Sequence, residues 1–209
     1  MIDKILKYFP CLTDEQRAAF ERMMILYPEW NNKINVISRK DIDNLEVHHI
    51  LHSLAIAKFI SFTPGSRVLD FGCGGGFPSI PLAVLFPKVH FHLIDRIAKK
   101  LRVAESVAND IGLQNISLQH GDINECRESF DFVVSRAVMS LPELIKYSRK
   151  NISDKQQNSF PNGLITLKGG DLQSEMGKYA QRTLIEPIAA YYPDEQYFTD
   201  KYVTYTPLK

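Results

Sequence analysis

The sequence has few cysteines, no long apolar run and almost no net charge. Its three cysteines, Cys11, Cys73 and Cys126, show no metal-ligand spacing, which argues against a metal site and against a disulfide framework. No apolar stretch approaches the roughly 18 residues of a membrane span, and the first residues lack the pattern of a signal peptide. The formal net charge of +1 provides no global basic field that would attract a polyanion. These absences predict a reduced cytoplasmic protein that binds neither a membrane nor a metal.

The composition is that of a globular chain, with 44% apolar and 23% charged residues in 209, enough for one sizeable core and a small appendage. Residues 1–62 carry helical periodicity and are predicted to form a helical cap. From there on, apolar strands alternate with helical segments, which predicts a core domain over 63–209 with a mostly parallel sheet. The stretches 184–191 and 202–206 are predicted to pair as antiparallel strands. The polar segment 153–162 is predicted to be a loop and is a candidate for disorder.

A glycine-rich motif organises the chain. An apolar run ends in Asp70, glycines including Gly72, Gly74 and Gly76 follow, and an apolar helical stretch begins after Phe77. This order predicts a strand, a tight turn that approaches a ligand closely, and a helix N-terminus with unpaired N–H groups. The spacing differs from the G-x-G-x-x-G of dinucleotide-binding folds, and an acid before the turn suits a cation better than a phosphate. The motif therefore favours S-adenosylmethionine (SAM) over a nicotinamide cofactor, with a purely structural turn as the alternative.

Acidic residues also follow the next two predicted strands, and open α/β sheets bind ligands beyond the carboxyl ends of their strands. Asp95 is predicted to accept both ribose hydroxyls of the cofactor, with a helix N-cap as the alternative. Asp122 is predicted to reach the adenine amino group or to be a plain turn residue. Phe77 is predicted to pack against the nucleoside or within the core.

Arg136, at the end of the fourth predicted strand, is expected to face the transferred methyl group. The Asn/Asp-Pro-Pro-aromatic run that would indicate methylation of a base amine is absent, and so is the Pro-Cys pair used for attack at pyrimidine C5. Guanine N7 fits better, because its lone pair needs alignment and not a general base. Arg136 would hold a phosphate or guanine O6, with a structural ion pair as the alternative. Lys168, at the end of the fifth predicted strand, is a second candidate catalytic cation.

Basic residues gather at the start of the predicted helix that follows Asp95. They are Arg96, Lys99, Lys100 and Arg102. Because positive charge is unfavourable at a helix N-terminus, a phosphate partner is one interpretation and a solvated helix face is the other. His49, on an earlier helix with His48 and His52, is predicted to face the cleft.

Taken together, these motifs resemble the glucose-inhibited division protein B family of bacterial small-subunit rRNA guanine-N7 methyltransferases. The specific features are the Gly-Phe-Pro-x-Ile-Pro-Leu-Ala run at 76–83 and the Ser-Arg-Ala step at 135–137, and the similarity extends along nearly the whole chain. The resemblance implies a class I SAM-dependent methyltransferase: a Rossmann-like α/β fold whose mostly parallel seven-stranded sheet has helices on both faces, plus an N-terminal helical extension.

The resemblance also implies functional residues and a substrate. Cofactor contacts would come from Gly72, Phe77 and the loop at Asp122 and Ile123, with Arg136 in the active site. The substrate would be a guanosine in a 16S rRNA loop near the decoding region, presented as RNA or as the small ribosomal subunit. The candidate RNA-contacting residues are Asn31, Asn35, His49, Arg96, Lys99 and Lys100.

The sequence departs from the family pattern at four places. Ser79 replaces a usual glycine, His52 replaces a usual aspartate, His48 stands at an often basic position, and 121–123 replaces Arg-x-Glu. Three other functions remain open: a SAM-dependent methyltransferase acting on a small molecule, a nicotinamide-dependent dehydrogenase, and a SAM-binding regulator without activity. We expect a monomer.

Overall fold

The computed structural model describes residues 1–209, with the exception of the side chains of residues 173 and 174. Its strands are β1 (Arg67–Phe71), β2 (His90–Asp95), β3 (Ile116–His120), β4 (Phe132–Arg136), β5 (Gly163–Gly169), β6 (Leu184–Pro187) and β7 (Lys201–Pro207). Within the described chain these seven strands form one sheet in the order β3-β2-β1-β4-β5-β7-β6. Strands β1 to β5 are parallel, and β7 lies antiparallel between β5 and β6. The predicted mostly parallel sheet and terminal antiparallel pair are confirmed.

Helices cover both faces of the sheet. They are α1 (Asp3–Tyr8), α2 (Asp14–Asn31), α3 (His52–Phe59), α4 (Ser79–Leu85), α5 (Ala98–Asp110), α6 (Leu141–Ser148) and α7 (Leu172–Met176), with a π-helical segment, Leu45–Leu51, before α3. Successive side chains of a strand point to opposite faces, so Val68 joins the apolar cluster under α2 to α5 while Leu69 joins the cluster under α6 and α7. In the part of the chain that the structure describes, no helix is long and apolar enough to cross a membrane.

Short 3₁₀ turns connect many of these elements. They are Ile42–Asn44, Ile123–Glu125, Arg149–Asn151, Gly177–Arg182, Ile188–Ala190 and Gln196–Phe198. Strand β6 is shorter than the predicted 184–191, because the chain turns into one of these 3₁₀ segments directly after Pro187.

The N-terminal helices pack on the sheet through helix α2. A capping box starts this helix: the Thr13 hydroxyl accepts from the Gln16 N–H (3.2 Å), and the Gln16 side chain accepts from the Thr13 N–H (3.0 Å). The predicted apolar face is buried at Phe20, Met23 and Tyr27. The Tyr27 hydroxyl donates to the Gly75 carbonyl at 2.9 Å. This hydrogen bond ties the helical cap directly to the glycine turn.

The polar segment 153–162 contains neither helix nor strand, as predicted, but its amide side chains fix it to its surroundings. The Asn162 side-chain Nδ2 donates to the Lys155 backbone carbonyl at 2.6 Å, and the Asn158 side-chain Oδ1 accepts from the Thr63 N–H at 2.8 Å. The segment is therefore an ordered loop and not the disordered stretch that its composition suggested.

Candidate functional site

The glycine turn between β1 and α4 requires glycine for two different reasons. Gly72, Gly74 and Gly76 have φ of 73°, 54° and 103°, a region that side chains rarely adopt. A Cβ on Gly72 would lie 2.6 Å from Cγ2 of Val138, which belongs to the loop after β4. A Cβ on Gly76 would lie 2.4 Å from Cδ1 of Ile80, inside the turn's own packing. Gly72 and Gly74 line a cleft, whereas Gly76 does not line it. The expected role of Gly76 as a cofactor ligand therefore stays a prediction without support from the cleft lining.

Asp70 is fully buried behind this turn and does not line the cleft, as far as the described residues show. Its Oδ2 accepts a hydrogen bond from the Ser79 N–H at 3.1 Å, so the carboxyl anchors the first turn of α4. Oδ1 has no hydrogen-bond partner among the described groups. Burial raises the pKa of Asp70 to about 7, although hydrogen bonding from Ser79 opposes the rise. The expectation that Asp70 faces the cofactor's cation stays a prediction, and the burial of Asp70 outside the cleft lining does not favour it.

A cleft of about 480 Å³ opens at the carboxyl ends of β1, β2 and β4, and we name it the turn cleft. Its described lining residues are Val36, Phe71–Gly75, Phe77, Ile94–Ile97, Lys100, Gly121, Ile123 and Arg136–Met139. Asp95 lies in this cleft, where its Oδ2 accepts from the Gly74 N–H and its Oδ1 accepts from the Ile97 N–H, both at 2.8 Å. The carboxylate does not cap α5, whose N-cap residue is Ile97 and has no side-chain cap hydrogen bond. It joins the glycine turn to the residue before α5 and also lines the cleft.

The loop after β3 contributes one of its two predicted cofactor residues to the turn cleft. Ile123 is buried and lines it. Asp122 turns away: its carboxylate pairs with Arg96 and accepts from the Asn124 N–H at 2.8 Å. These hydrogen bonds lower the pKa of Asp122, the Asn124 N–H contributing most. The plain turn interpretation of Asp122 is the one that the structure supports.

A second cleft, of about 660 Å³, lies on the other side of the loop after β4, and we name it the helix cleft. Its described lining residues are His48, His49, His52, Arg136–Ser140, Leu167–Gly169, Glu175, Tyr197 and Lys201. Residues 136–139 line both clefts, so this short segment is their common wall. Lys168 does not present a free cation there, because its Nζ donates to the Met139 carbonyl at 2.6 Å and pairs with Glu175.

Arg136 stands at the junction of the two clefts. Its guanidinium carbon lies 5.0 Å from the centroid of the Phe77 ring, and Nη1 donates to the His48 carbonyl at 3.4 Å. Nη2 lies 3.1 Å from Nδ1 of His49. No carboxylate forms an ion pair with Arg136 among the residues described, so the predicted alternative of a structural ion pair is absent from this part of the chain. Burial lowers the pKa of Arg136, but arginine remains a cation.

His49 is engaged at both ring nitrogens, so its expected role as an RNA contact stays a prediction that these contacts do not favour. Nε2 lies 2.7 Å from Oδ2 of Asp41, while Nδ1 faces Arg136. Burial and, to a smaller extent, the neighbouring Arg136 guanidinium lower the pKa of His49 to about 4, although Asp41 opposes the shift. The ring is therefore neutral near pH 7. Sequence reasoning missed Asp41. It is joined to His49 through a turn and a π-helical segment, and neither helical nor strand periodicity predicts contacts across such a connection.

Two histidines that depart from the family pattern lie beside this chain of contacts. The His48 ring stacks on Tyr197 at 3.6 Å between centroids, and its Nδ1 lies 2.5 Å from Oδ1 of Asp41. His52 is buried against Tyr197 and Phe198, and burial holds its pKa well below the ordinary value. Both histidines thus belong to the aromatic wall of the helix cleft.

The remaining RNA candidates separate into buried and exposed groups. Asn31 is buried, donates to the Ile37 carbonyl and accepts from the N–H groups of Val36 and Ile37, each at 2.9 Å. Its amide is thus occupied in shaping the loop that brings Val36 to the turn cleft, and its expected contact with RNA stays a prediction that these hydrogen bonds do not favour. Asn35 is exposed on the same loop.

The basic cluster lies at one edge of the turn cleft. Arg96 and Lys100 line the cleft, whereas Lys99 is exposed at the start of α5 without lining it. Arg96 pairs with Asp122, whereas Lys100 lines the cleft and forms no ion pair among the described residues.

The sheet order, the glycine turn and the acid at the end of β2 define a class I SAM-dependent methyltransferase fold. Solved structures with this fold agree. Precorrin-6y C5,15-methyltransferase from Geobacter metallireducens matches with a TM-score of 0.54 at 10% identity, covering 83% of this chain and 92% of its own. TehB from Haemophilus influenzae matches with a TM-score of 0.51 at 18% identity, covering 79% of this chain and 65% of its own.

Sequence comparison defines the family within this class. The model for rRNA small subunit methyltransferase G (GidB) matches residues 16–188. The ribosomal RNA small subunit methyltransferase G of Bacteroides thetaiotaomicron is 57% identical over 97% of this chain and 98% of its own. That of Flavobacterium johnsoniae is 47% identical over 100% of this chain and 99% of its own. The chain belongs to the rRNA small subunit methyltransferase G family.

The turn cleft fits the SAM cofactor of this class. At Gly72 and Gly74 the backbone adopts positive φ where the cleft opens, and the Asp95 carboxylate beside them is an acceptor suited to ribose hydroxyls. The volume of the turn cleft, about 480 Å³, lies within the range of small-molecule binding sites. When bound, SAM would supply a methyl group on a sulfonium. The lone pair of an acceptor atom would bond to the methyl carbon as the carbon–sulfur bond breaks.

Proposed function

We propose that this protein transfers the methyl group of SAM to N7 of a guanosine in 16S ribosomal RNA. The observation that carries the proposal is the position of Arg136, whose partly buried side chain lines both the cofactor-sized turn cleft and the larger helix cleft. Membership in a family named for rRNA methylation supports an RNA substrate.

The chemistry of N7 suits what the site provides. Guanine N7 carries a lone pair and no proton, so the enzyme has to align it with the methyl group and has no proton to remove. Arg136 has several N–H donors in a fixed planar arrangement and is therefore suited to hold guanine O6 or a backbone phosphate. Phe77 supports the guanidinium from one face. We assign to Lys168 the role of holding the common wall through the Met139 carbonyl, in place of direct catalysis.

We further propose that residues 1–62 act as a cap that completes the helix cleft, and that the protein works as a cytoplasmic monomer on the RNA or the small ribosomal subunit. The histidines before and at the start of α3 line that cleft and come from the cap. RNA contacts are proposed for Asn35, Arg96 and Lys100, which are surface residues near the mouth of the turn cleft. These three residues would provide only a few contacts to RNA phosphates.

The test is transfer of labelled methyl from SAM to ribosomal RNA and to assembled small subunits, with the modified nucleoside identified by mass. Wild-type protein is expected to yield N7-methylguanosine at one position. Arg136→Ala should reduce methyl transfer far more than SAM binding. The control is Arg17→Ala, which removes an exposed arginine of α2 that lines neither cleft and should change neither quantity.

Two results would contradict the proposal. SAM binding by the wild type without label on either form of RNA would discard the substrate while keeping the fold. An equal loss of methyl transfer and SAM binding in Arg136→Ala would assign that arginine to the cofactor or to the structure.

A further inference from the structure

Asp41 is joined to Arg136 by two short contacts through one histidine. Asp41 Oδ2 lies 2.7 Å from His49 Nε2, and His49 Nδ1 lies 3.1 Å from Arg136 Nη2. Asp41 is half-buried and lines neither cleft among the described residues. It is thus separated from the reacting groups, yet it ends a continuous hydrogen-bonded chain that reaches the junction of the clefts.

The hydrogen-bonding capacities of Asp41 and Arg136 determine which ring nitrogen of His49 carries the proton. A guanidinium can only donate hydrogen bonds, so the His49 nitrogen that faces Arg136 must be the one with a free lone pair. An ionised carboxylate can only accept, so the nitrogen that faces Asp41 must carry the proton. His49 is therefore held as the Nε2–H tautomer, with Nδ1 as the acceptor. Its low pKa, caused mainly by burial, keeps the ring neutral as this arrangement requires.

Asp41 is itself held from a second side. Its Oδ1 lies 2.5 Å from Nδ1 of His48, whose ring stacks on Tyr197 with an interplanar angle of 14°. Burial alone would raise the pKa of Asp41, but hydrogen bonds from His48 and His49 outweigh burial and lower it. The carboxylate is therefore ionised near neutral pH and has a fixed position relative to the aromatic wall.

We propose that Asp41 is a positioning residue that sets the orientation of the Arg136 guanidinium by fixing the tautomer of His49. The inference rests on the proposed function, because Arg136 is the residue that this function places against the substrate. Without Asp41, His49 is free to carry its proton on Nδ1, where that proton would oppose the N–H groups of Arg136. Reorientation of the guanidinium would then slow methyl transfer without affecting the glycine turn that binds SAM.

The kinetic test compares Asp41→Asn with Asp43→Asn, an exposed acid on the same segment that lines neither cleft. Loss of one charge-assisted hydrogen bond predicts a fall in kcat of about tenfold for Asp41→Asn, with the KM for SAM unchanged. Asp43→Asn should behave as wild type. His49→Asn, which retains an acceptor near the Nδ1 position, should keep more activity than His49→Gln, whose amide reaches toward Asp41 instead.

A spectroscopic test reads the tautomer directly. In protein labelled with nitrogen-15 at histidine, His49 should show a protonated Nε2 and a bare Nδ1 near pH 7. Asp41→Ala, which removes the acceptor that faces Nε2, should populate the other tautomer. A protonated Nδ1 in the wild type would overturn the inference. It would also be overturned if kcat per folded molecule of Asp41→Asn equalled that of Asp43→Asn. Wild-type protein that fails to methylate ribosomal RNA would refute the proposed function separately, since the nitrogen spectrum does not depend on RNA.

Discussion

Replacement of Asp70 by asparagine should make the protein more stable at alkaline pH, although it removes a carboxylate beside the proposed cofactor site. Asp70 is fully buried, and one of its oxygens has no hydrogen-bond partner among the described groups. Burial raises its pKa from the ordinary 3.8 to about 7. The folded protein therefore holds the proton more tightly than the unfolded chain, and stability falls as pH rises through this interval.

The magnitude follows from the size of that interval. Each pH unit between the two pKa values changes the free energy of unfolding by about 1.4 kcal/mol, so full ionisation of Asp70 destabilises the fold by about 4 kcal/mol. Of this, about 3 kcal/mol falls between pH 5 and pH 8. Asparagine has nearly the same shape, keeps an acceptor for the Ser79 N–H and does not ionise. Relative to wild type, Asp70→Asn should therefore gain about 3 kcal/mol across that range.

Urea unfolding at several pH values measures this difference directly, because titrations shared by the two proteins cancel. Asp43→Asn, at an exposed site, is the control and should show no pH-dependent difference. A constant difference between Asp70→Asn and wild type from pH 5 to pH 8 would refute the reasoning. SAM affinity supplies a second readout: a large loss of binding in Asp70→Asn at pH 8 would restore Asp70 as a ligand of the cofactor's cation.

Three further predictions address the turn cleft. Asp95→Ala should weaken SAM binding by about 1–3 kcal/mol through lost hydroxyl hydrogen bonds, and unchanged affinity in a titration would leave Asp95 only with its hydrogen bonds to the Gly74 and Ile97 N–H groups. Gly72→Ala should lower the melting temperature more than Gly112→Ala. Both glycines have positive φ, but the new Cβ would meet Val138 at Gly72 and open space at Gly112. Equal shifts in melting temperature would show that the contact with Val138 is unimportant. RNA affinity should depend only shallowly on salt, and a steep slope of log Kd against log salt concentration would indicate more phosphate contacts than the surface near the cleft suggests.

The sequence was sufficient to predict the elements and the edge of the sheet where the site lies. Hydrophobic periodicity and turn residues act locally, so the strand before Asp70, the glycine turn and the terminal antiparallel pair could be read from neighbours in the chain. Asp95 could be placed in the cleft for the same reason, since its position follows from the end of a parallel strand.

The side-chain partners could not be predicted, because they depend on how distant segments meet. Asn31 reads as a polar surface residue, yet the loop folds back over it and uses its whole amide. Lys168 was predicted to be a catalytic cation, and its partner Glu175 arrives from a later helix. Asp41 was missed altogether, because only the packed π-helical segment brings it to His49.

The segment from Arg136 to Met139 is one strip of chain with a cleft on each side. Lys168 fastens this strip from one side through the Met139 carbonyl, and Val138 touches the glycine turn on the other. A shift of the strip that is caused by binding on one side and alters the cleft on the other side changes the affinity of the second ligand. Thermodynamic linkage requires that the second ligand changes the affinity of the first by the same factor. If the proposed cofactor and substrate occupy the two sides and one of them shifts the strip, the release of spent cofactor and the release of product are energetically linked.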